Sequence, residues 1–523
     1  MADTPTSAQQ RAALHSAIWK IADDLRGAVD GWDFKSYVLG FLFYRFISED
    51  QACYVDKHEH DSGNPSFSYA ALSDEQAECV RDALTDAKGI FILPSQLFCN
   101  VARTCRADPD LNETLEGVFR SIEGSSAGQE SEKDFEGLLG DMDLNSNKLG
   151  ATVSERNERL CKIMDGIAGL DFGPVDEAQI DLFGDAYEFL MNMYASNAGK
   201  SGGEFFTPQE VSELLARIVI GDKKQINKIY DPACGSGSLL LKAAKVIGKD
   251  NILQGFYGQE KNITTYNLCR INMILHGVNF TKFDIALGDT LVDPKHWDDE
   301  PFDAIVSNPP YSIKWVGEED PTLINDPRFA PAGVLAPKSK ADLAFTMHML
   351  SWLAEGGTAA IVEFPGVLYR GGKERQIRRY LVDNNFVKAV IQLPANLFFG
   401  VTIATCVIVL AKGKADDKIQ FVDASELFGH EGNKNKLMPE HIERIFQIVN
   451  DRTEEDHFSR LVPIDVVGDE DNDYNLSVGT YVEKLDTREK VDIVELNERI
   501  RGIVAREQEL REQIDAIVAD LEA

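Results

Sequence analysis

Four consecutive residues, Asn308, Pro309, Pro310 and Tyr311, have the side-chain types needed to activate an aromatic amine. Such an amine is a poor nucleophile because its lone pair is delocalised into the ring. The Asn308 side-chain oxygen and the Pro309 carbonyl could accept its two protons, which would hold the nitrogen nearer sp³ geometry and aim its lone pair at an electrophilic methyl group. The prolines restrict the backbone that carries these acceptors, and Tyr311 offers a ring on which a planar base or amide could stack.

A glycine-rich turn, Asp231 to Ser238, precedes this tetrapeptide and could bind a nucleoside cofactor. Gly235 and Gly237 allow the backbone to approach a ligand closely, and the helix predicted after the turn offers its first N–H groups. A second predicted strand ends at Glu260, whose carboxylate could accept hydrogen bonds from both ribose hydroxyls. The turn alone would also fit nicotinamide or flavin, or be a mere tight turn.

Asp289 ends a third predicted strand and could accept a hydrogen bond from the exocyclic amine of an adenine lying across the strand ends. A single Asp at the end of a strand is also typical of a cap or a turn, so a structural role stays open.

A concentrated basic patch, Tyr369 to Arg379, follows later in the same region. We interpret it as a contact for phosphate groups, the alternative being a solvated helix face. The candidate residues are Arg370, Lys373, Arg375, Arg378 and Arg379.

The elements that must position these residues belong to an α/β domain, because short β-branched runs alternate with helical stretches from about residue 176 onward. The predicted strands are Ile226–Tyr230, Gly255–Gln259, Asp284–Leu287, Phe302–Val306, Thr358–Glu363, Phe386–Gln392 and Thr405–Leu410. Residues 1–175 read as a helical domain. We therefore predict a helical N-terminal domain over 1–175, the α/β domain over 176–430 and a C-terminal tail over 431–523.

Apolar residues in the tail recur in steps of three and four, at 493, 496, 500, 503, 510, 514, 517 and 521, with Glu507 as the exception. This heptad pattern predicts a long helix, at about 487–522, that packs against another helix. The pattern favours a helix of another subunit, but packing against the chain itself stays open.

The chain of 523 residues carries 53 Lys and Arg against 86 Asp and Glu, a net charge of −33. Bulk electrostatics would therefore repel a polyanion. If the protein acts on nucleic acid, it needs a local basic groove or a partner that supplies one.

Eight cysteines lie scattered along the chain, with no C-x-x-C pair. This argues against a zinc site or a disulfide framework and predicts reduced thiols in a cytoplasmic protein. The apolar run Thr402 to Ala411 is about half the length that crosses a bilayer, and the N-terminus shows no secretory signal. We expect neither a metal nor a membrane partner.

In its motifs the chain resembles the modification subunit of type I restriction–modification systems, an adenine-specific DNA methyltransferase that uses S-adenosylmethionine. The motifs are Gly202–Pro208 (G-G-E-F-F-T-P), Asp231–Ser238 and Asn308–Tyr311, and Tyr266–Met273 is similar to the family's helix after the second strand. The resemblance covers most of the chain. It implies a Rossmann-like α/β core with a mostly parallel seven-stranded sheet, a helical N-terminal domain and a C-terminal helical tail.

The resemblance also implies roles for particular residues. The methionine end of the cofactor would be lined by Glu204, Phe205, Phe206, Thr207, Pro208 and Gln209. The glycine turn would hold the methionine moiety through Asp231, Gly235, Ser236, Gly237 and Ser238, with Glu260 on the ribose. The target adenine would be flipped out of the duplex and stacked on Phe398 or Phe399, with packing of these two residues in the core as the alternative. We interpret the Pro-rich segment Ser312 to Lys340, after the tetrapeptide, as a mobile loop over the target.

The predicted reaction is in-line transfer of a methyl group to adenine N6 in double-stranded DNA. Sequence choice would be delegated to a specificity subunit, bound by two copies of this chain through the terminal helix, and the full complex would include a restriction and translocase subunit. The alternatives are methylation of the cytosine N4 amine or of a glutamine amide, or a catalytically silent assembly subunit.

Overall fold

A computed structural model describes residues 14–18, 20–21, 31–172, 182–184, 186–191, 207–398, 400–432, 434–484 and 493–522. The chain divides into two compact units, residues 1–482 and 483–523. The boundaries predicted from the sequence, at residues 175 and 430, do not coincide with this division and stay predictions.

The first part of the larger unit is helical, as the sequence predicts. Between residues 31 and 168 its α-helices are α1 (Gly31–Asp61), α2 (Asp74–Ala77), α3 (Arg81–Lys88), α4 (Phe98–Thr104), α5 (Leu111–Gly124), α6 (Glu132–Phe135) and α7 (Val153–Ala168). Helix α1 buries Phe41, Phe43 and Tyr44 almost completely, which is why its sequence is apolar on more than one face. Helix α7 begins with a capping box between Thr152 and Glu155.

The same helical part corrects one prediction about the cysteines. Cys105 and Cys161 form a disulfide with a Cα–Cα separation of 5.6 Å, so the expectation of reduced thiols is wrong for this pair. The two residues are 56 positions apart in sequence and meet only because α7 packs beside α4 and the turn after it.

The second part of the larger unit is built on a sheet of nine strands in the order β11-β8-β6-β7-β5-β4-β1-β2-β3. Strands β7 and β11 run antiparallel to their neighbours, and the other pairings are parallel. The strands are β1 (Ile226–Asp231), β2 (Ile252–Glu260), β3 (Phe283–Leu287), β4 (Phe302–Ser307), β5 (Leu353–Glu363), β6 (Val387–Gln392), β7 (Cys406–Ala411), β8 (Lys418–Asp423) and β11 (Ser459–Pro463). A separate hairpin pairs β9 (Gly429–Glu431) with β10 (Lys434–Lys436).

All seven predicted strands are confirmed, and they form the continuous part β6-β7-β5-β4-β1-β2-β3. The predicted total of seven is too low because β8 and β11 extend the sheet beyond β6. Two hydrophobic clusters of buried residues involve opposite faces of the strands, for example Ile229 on one and Tyr230 on the other. This alternation follows from the two-residue period of a strand.

Helices cover the sheet and connect its strands. They are α8 (Gln209–Ile220), α9 (Ser238–Ile247), α10 (Ile263–Leu275), α11 (Asp342–Trp352), α12 (Lys373–Asp383), α13 (Pro439–Asp451), α14 (Ile464–Val467) and α15 (Val478–Tyr481). Helix α11 is buried along nearly its whole length, as expected for an element covered on all sides.

The smaller unit contains one described helix, α16 (Ile493–Glu522), which confirms the predicted long terminal helix over the residues that the structure describes. None of its described side chains is buried, and Ile503, Ile514 and Leu521 are among its exposed apolar residues. Among the described helices of the whole chain, none is long and apolar enough to span a membrane.

Candidate active site

The predicted site residues meet at one edge of the sheet. Asp231 and Glu260 are the last residues of β1 and β2, and Asn308 directly follows β4. These strands are parallel neighbours with β3 beside β2, so their carboxyl ends form one edge, where α/β folds bind ligands. Asp289 lies two residues beyond the end of β3 at the same edge.

The glycine-rich turn is fixed by the two carboxylates at this edge. The Gly235 N–H donates to Glu260 Oε2 (3.1 Å), and Asn262 N–H donates to its Oε1 (2.8 Å). Asp231 Oδ1 accepts from the Ala233 N–H and from the Ser307 hydroxyl, both at 3.0 Å. These hydrogen bonds hold the turn in a defined conformation.

Gly237 shows why a glycine is needed in this turn. Its φ of +78° is in the left-handed region, and a Cβ atom there would lie 2.8 Å from the Cys269 sulfur. Helix α9 begins at the next residue, Ser238, with no side-chain hydrogen bond at its N-cap. The first N–H groups of a helix favour an anionic part of a ligand.

Both carboxyl groups of the turn are held in a low-dielectric setting. Burial raises the pKa of Asp231 to about 7, and burial also raises the pKa of Glu260. The second Asp231 oxygen, Oδ2, has no hydrogen-bond partner within the described part of the chain. A buried carboxyl oxygen without a partner is expected where a polar ligand supplies one.

A cavity of about 660 Å³ opens beside the turn. Its wall includes Ala233, Glu260 and Asp289, which is the size and lining expected for a nucleoside cofactor. Asp289 also forms an ion pair with Lys261 at 2.8 Å. The carboxylate that the sequence predicts to bind the adenine of the cofactor therefore already has one partner.

The Asn308 amide is held at both ends. Its Nδ2 donates to the Thr207 hydroxyl (3.0 Å), and its Oδ1 accepts from the Tyr311 hydroxyl (2.5 Å). Pro309 is buried, whereas Asn308 and Pro310 are half-buried. The contact with Thr207 brings together two motifs that lie 101 residues apart.

The rest of the predicted 204–209 group is described only in part. Pro208 is the N-cap of α8 and Gln209 is its first residue. Glu204, Phe205 and Phe206 lie outside the described residues, and so does Phe399.

An aromatic group surrounds the Tyr311 ring. Phe364, directly after β5, stacks on it with a centroid distance of 4.3 Å, and Phe398 approaches edge-on at 6.3 Å. Phe398 is 1% exposed. It is therefore packed in the core as the structure stands, and stacking on a base would require it to move.

The basic patch is less cationic than its sequence suggests, because acids neutralise it. Arg370 pairs with Glu374 (3.0 Å), Arg379 pairs with Asp383 (3.2 Å), and Arg375 and Lys373 pair with Asp473 and Glu318. These four side chains remain at least partly exposed.

Arg378 differs from the rest of the patch. It is 2% exposed, and its guanidinium donates to the carbonyl oxygens of Val367, Arg370 and Tyr474 at 2.7–2.9 Å. We leave Arg378 out of the phosphate-binding candidates because it is buried and its Nε and Nη1 donate to these internal carbonyls.

Several contacts that support the site were not predicted from the sequence. The Ser307 hydroxyl donates to the Asp231 carboxylate, and the Thr207 hydroxyl accepts from the Asn308 amide. Phe364 stacks on Tyr311. The Asn272 amide donates to the Ser236 carbonyl at 2.9 Å. The only available signal was position, since Ser307 ends β4 and Phe364 follows the end of β5 at the same edge of the sheet.

Fold and site together define a class, the S-adenosylmethionine-dependent methyltransferases. Residues 178–490 match the family model described as N-6 DNA Methylase, and residues 14–167 match the HsdM N-terminal domain. The chain belongs to the N-6 DNA methylase family and is a methylase subunit of the type I restriction–modification kind.

Individual relatives agree with this assignment. The chain is 48% identical to the type I restriction enzyme MpnII methylase subunit of Mycoplasma pneumoniae, over 98% of this chain and 97% of that one. It is 29% identical to the MjaVII methylase subunit of Methanocaldococcus jannaschii, over 94% and 82%. Among solved structures, the type I methyltransferase subunit from Streptococcus thermophilus matches with a TM-score of 0.81 and 35% identity, over 90% of this chain and all of that one.

Proposed function

We propose that this chain methylates adenine N6 in DNA by the amine-activating geometry of Asn308 and Pro309. The main support for this proposal is that hydrogen bonds with Thr207 and Tyr311 fix the orientation of the Asn308 side-chain amide. The bond from Nδ2 to the Thr207 hydroxyl fixes which way the amide points, and Oδ1, which accepts from the Tyr311 hydroxyl, keeps a second lone pair to accept a proton of the target amine. The Pro309 carbonyl would accept the second proton, and neither step needs a covalent enzyme intermediate.

The cofactor would be held in the cavity at the strand ends. S-adenosylmethionine, when bound, supplies the sulfonium-bound methyl group that is transferred. We assign the ribose to Glu260 and the adenine end to Asp289, with the methionine moiety on the turn. The turn residues are Asp231, Gly235, Ser236, Gly237 and Ser238, and the Glu204–Gln209 segment completes this end. Two features support this fit: the Asp231 oxygen without a partner among the described residues, and the start of α9 directly after the turn, with no side-chain cap from Gly237.

The target base would stack beside Tyr311 after being flipped out of the duplex. Phe398 and Phe399 remain our candidates for the second aromatic wall. A base reaching Tyr311 would have to share its ring with Phe364, which covers one face at 4.3 Å.

Contact with DNA phosphates is proposed for Arg370, Lys373, Arg375 and Arg379. The ion pairs of Lys373, Arg375 and Arg379 lie at the surface, where such pairs contribute little to stability and can exchange for a phosphate. Arg370 pairs with the buried Glu374 but is itself partly exposed. The net charge of −33 supports the further proposal that most of the DNA affinity comes from partners. Those partners would be a specificity subunit, bound by two copies of this chain, and a restriction and translocase subunit. We propose a cytoplasmic location for the complex.

In domain terms we propose a helical domain over residues 1–175, a methyltransferase domain over 176–430 and a tail over 431–523. The tail would not be independent throughout, because β11 at Ser459–Pro463 pairs with β8 in the main sheet. The terminal helix is the part of the tail that we assign to partner binding.

Replacing Asn308 with Ala tests the catalytic assignment. We expect Asn308→Ala to lower the rate of methyl transfer to DNA by at least about 100-fold, because the amine loses a fixed acceptor. Cofactor affinity, measured by calorimetry, should stay within about twofold of the parent value, since Asn308 is not assigned to the cofactor. Unchanged transfer by the complex with its specificity subunit would contradict the assignment, and Glu260→Ala is the opposite control, expected to lose cofactor binding.

A further inference from the structure

Arg328 is a buried charged residue that the site described above does not use. It is 2% exposed and belongs to the segment 312–341 between β4 and α11. Burying a guanidinium is costly unless its N–H groups are hydrogen-bonded. Its partners therefore identify what the residue holds in place.

One end of the guanidinium anchors the segment to itself. Arg328 Nε donates to Asp326 Oδ1 (3.0 Å), and Nη2 donates to Asp326 Oδ2 (2.8 Å). This paired geometry fixes the plane of the guanidinium. The remaining N–H groups are thereby aimed away from Asp326 in a defined direction.

The other end binds the loop that borders the cavity. Arg328 Nη1 donates to the Thr290 carbonyl (2.7 Å), and Nη2 donates to the Leu291 carbonyl (2.9 Å). Both residues line the 660 Å³ cavity and directly follow Asp289. Arg328 thus ties the 312–341 segment to the backbone that would carry the adenine end of the cofactor site.

A third contact extends to the strand below the glycine turn. Arg328 Nη1 lies 3.2 Å from His348 Nδ1, and His348 Nε2 lies 3.1 Å from the Tyr230 hydroxyl. Because a guanidinium only donates, Nδ1 must accept and the ring proton resides on Nε2. Burial, with Arg328 nearby, lowers the pKa of His348 well below its ordinary value, which agrees with a neutral ring. Tyr230 immediately precedes Asp231.

The segment that contains Arg328 also forms part of the cavity wall, through Ile313, Lys314 and Trp315. It is closed at its base by backbone hydrogen bonds from Trp315 to Lys338 (3.0 Å) and from Ala341 to Ile313 (2.9 Å). Its apolar side chains Leu323 and Phe329 are buried. The segment predicted as a mobile loop over the target base is therefore packed beside the cofactor cavity.

We infer that Arg328 is a positioning residue for the cofactor, acting through the Thr290–Leu291 backbone and the 312–341 segment rather than by touching the ligand. The inference rests on the proposed function, since it requires that S-adenosylmethionine binds in this cavity. Arg328 would set how tightly the cofactor is held and would leave the handling of DNA largely unaffected.

The test compares two buried arginines in the full-length chain. Arg378 is the matched control, because it is also 2% exposed and donates to three carbonyls, none of which lines the cavity. We expect Arg328→Lys to raise the dissociation constant for S-adenosylmethionine about tenfold, since Lys cannot reproduce the planar fork. Arg378→Lys should leave that constant within about twofold. The two variants should lower the melting temperature by similar amounts, because each loses hydrogen bonds of a buried guanidinium.

Kinetics with the specificity subunit present provide the second readout. Arg328→Lys should raise KM for the cofactor and leave KM for DNA unchanged, a split that general loss of stability would not produce. If Arg328→Lys does not fold, Asp326→Asn weakens the same anchor, and we expect a smaller rise in the cofactor dissociation constant.

The outcomes separate this inference from the proposed function. A dissociation constant within about twofold of the parent in a folded Arg328→Lys or Asp326→Asn variant, or an equal rise in Arg378→Lys, overturns the role of Arg328. Unchanged cofactor binding in Glu260→Ala would instead overturn the placement of the cofactor in this cavity.

Discussion

At the scale of single residues, the site depends on polar groups whose orientation is fixed by neighbours. An asparagine amide can present either its oxygen or its nitrogen to a substrate. In this protein the Thr207 hydroxyl accepts from Asn308 Nδ2 at 3.0 Å, and the Tyr311 hydroxyl donates to Oδ1 at 2.5 Å. A carbonyl oxygen has two lone pairs, so Oδ1 can accept one more proton from an incoming amine.

Asp231 allows a pH-dependent prediction at the same scale. Its pKa is raised by burial to about 7, so between its ordinary value and pH 7 the folded state holds a proton that the unfolded state has lost. Its contribution to stability therefore falls as pH rises through this window, by up to about 1.4 kcal/mol per pH unit, and levels off above pH 7.

Asp231→Asn removes this dependence. The melting temperature of the variant minus that of the parent should be larger at pH 8 than at pH 5, because only the parent loses stability as pH rises. Calorimetry at both pH values measures this difference. The hydrogen bond from Ala233 can still be accepted by the Asn oxygen. A difference that is the same at both pH values would show that Asp231 does not titrate in this range.

At the scale of secondary structure, the sequence predicted the elements with clear local signals. Strand Cys406–Ala411 contains the β-branched run V-I-V, and Ile226–Asp231 has two Ile and a Tyr directly before the glycine-rich turn. Strand β11 (S-R-L-V-P) is a short edge strand ending in Pro463, and its pairing with β8 involves residues about forty positions apart.

The predictable part of the site follows the same rule. Asn308, Asp231 and Glu260 could be found because each follows or ends a recognisable strand. The contacts of Thr207, Phe364 and Arg328 could not, since they join segments distant in sequence and leave no local pattern.

Gly255 in β2 gives a prediction about an element. Its φ is +108°, and a Cβ there would lie 2.2 Å from the Lys282 carbonyl oxygen before β3. We expect Gly255→Ala to destabilise the protein by about 2–4 kcal/mol, because two backbone segments must separate.

Gly356 in β5 is the matched control. It also has a positive φ, +73°, but nothing lies within 4 Å of the point that a Cβ atom would occupy there. Gly356→Ala should lower the free energy of unfolding by only about 1 kcal/mol, the cost of placing an alanine in the left-handed backbone conformation. Equal melting temperatures for the two variants would argue against close packing at Gly255.

At the scale of the whole molecule, the net charge of −33 and the paired basic patch point to a chain that works within an assembly. Free Lys and Arg side chains supply most of the affinity of a DNA-binding protein, and paired ones supply less. The apolar residues of α16 are exposed, and a helix with such a stripe is typically covered by a partner.

Deleting residues 494–523 tests this at the molecular scale. We expect the shortened chain to fail to co-purify with the specificity subunit while keeping its affinity for S-adenosylmethionine, because the methyltransferase residues all precede the helix. Loss of both properties would count against a docking role.

A point-substituted pair gives a sharper comparison. Ile503→Asp with Ile514→Asp places two charges on the apolar stripe, whereas Ala505→Asp with Ala516→Asp places the same charges on the opposite face of the helix. Only the first pair should weaken the complex in a pull-down assay.

The hydrogen bond between Thr207 and Asn308 has a consequence for the order of events in catalysis. Under the proposed assignment, Thr207 belongs to the stretch that would hold the donor molecule, and Asn308 would act on the acceptor. The two side chains share a hydrogen bond, so any displacement of Thr207 by the donor would be passed directly to the amide. With that coupling, an enzyme that takes up its methyl source before it extrudes a nucleotide would present the opened duplex with an amide already set for reaction.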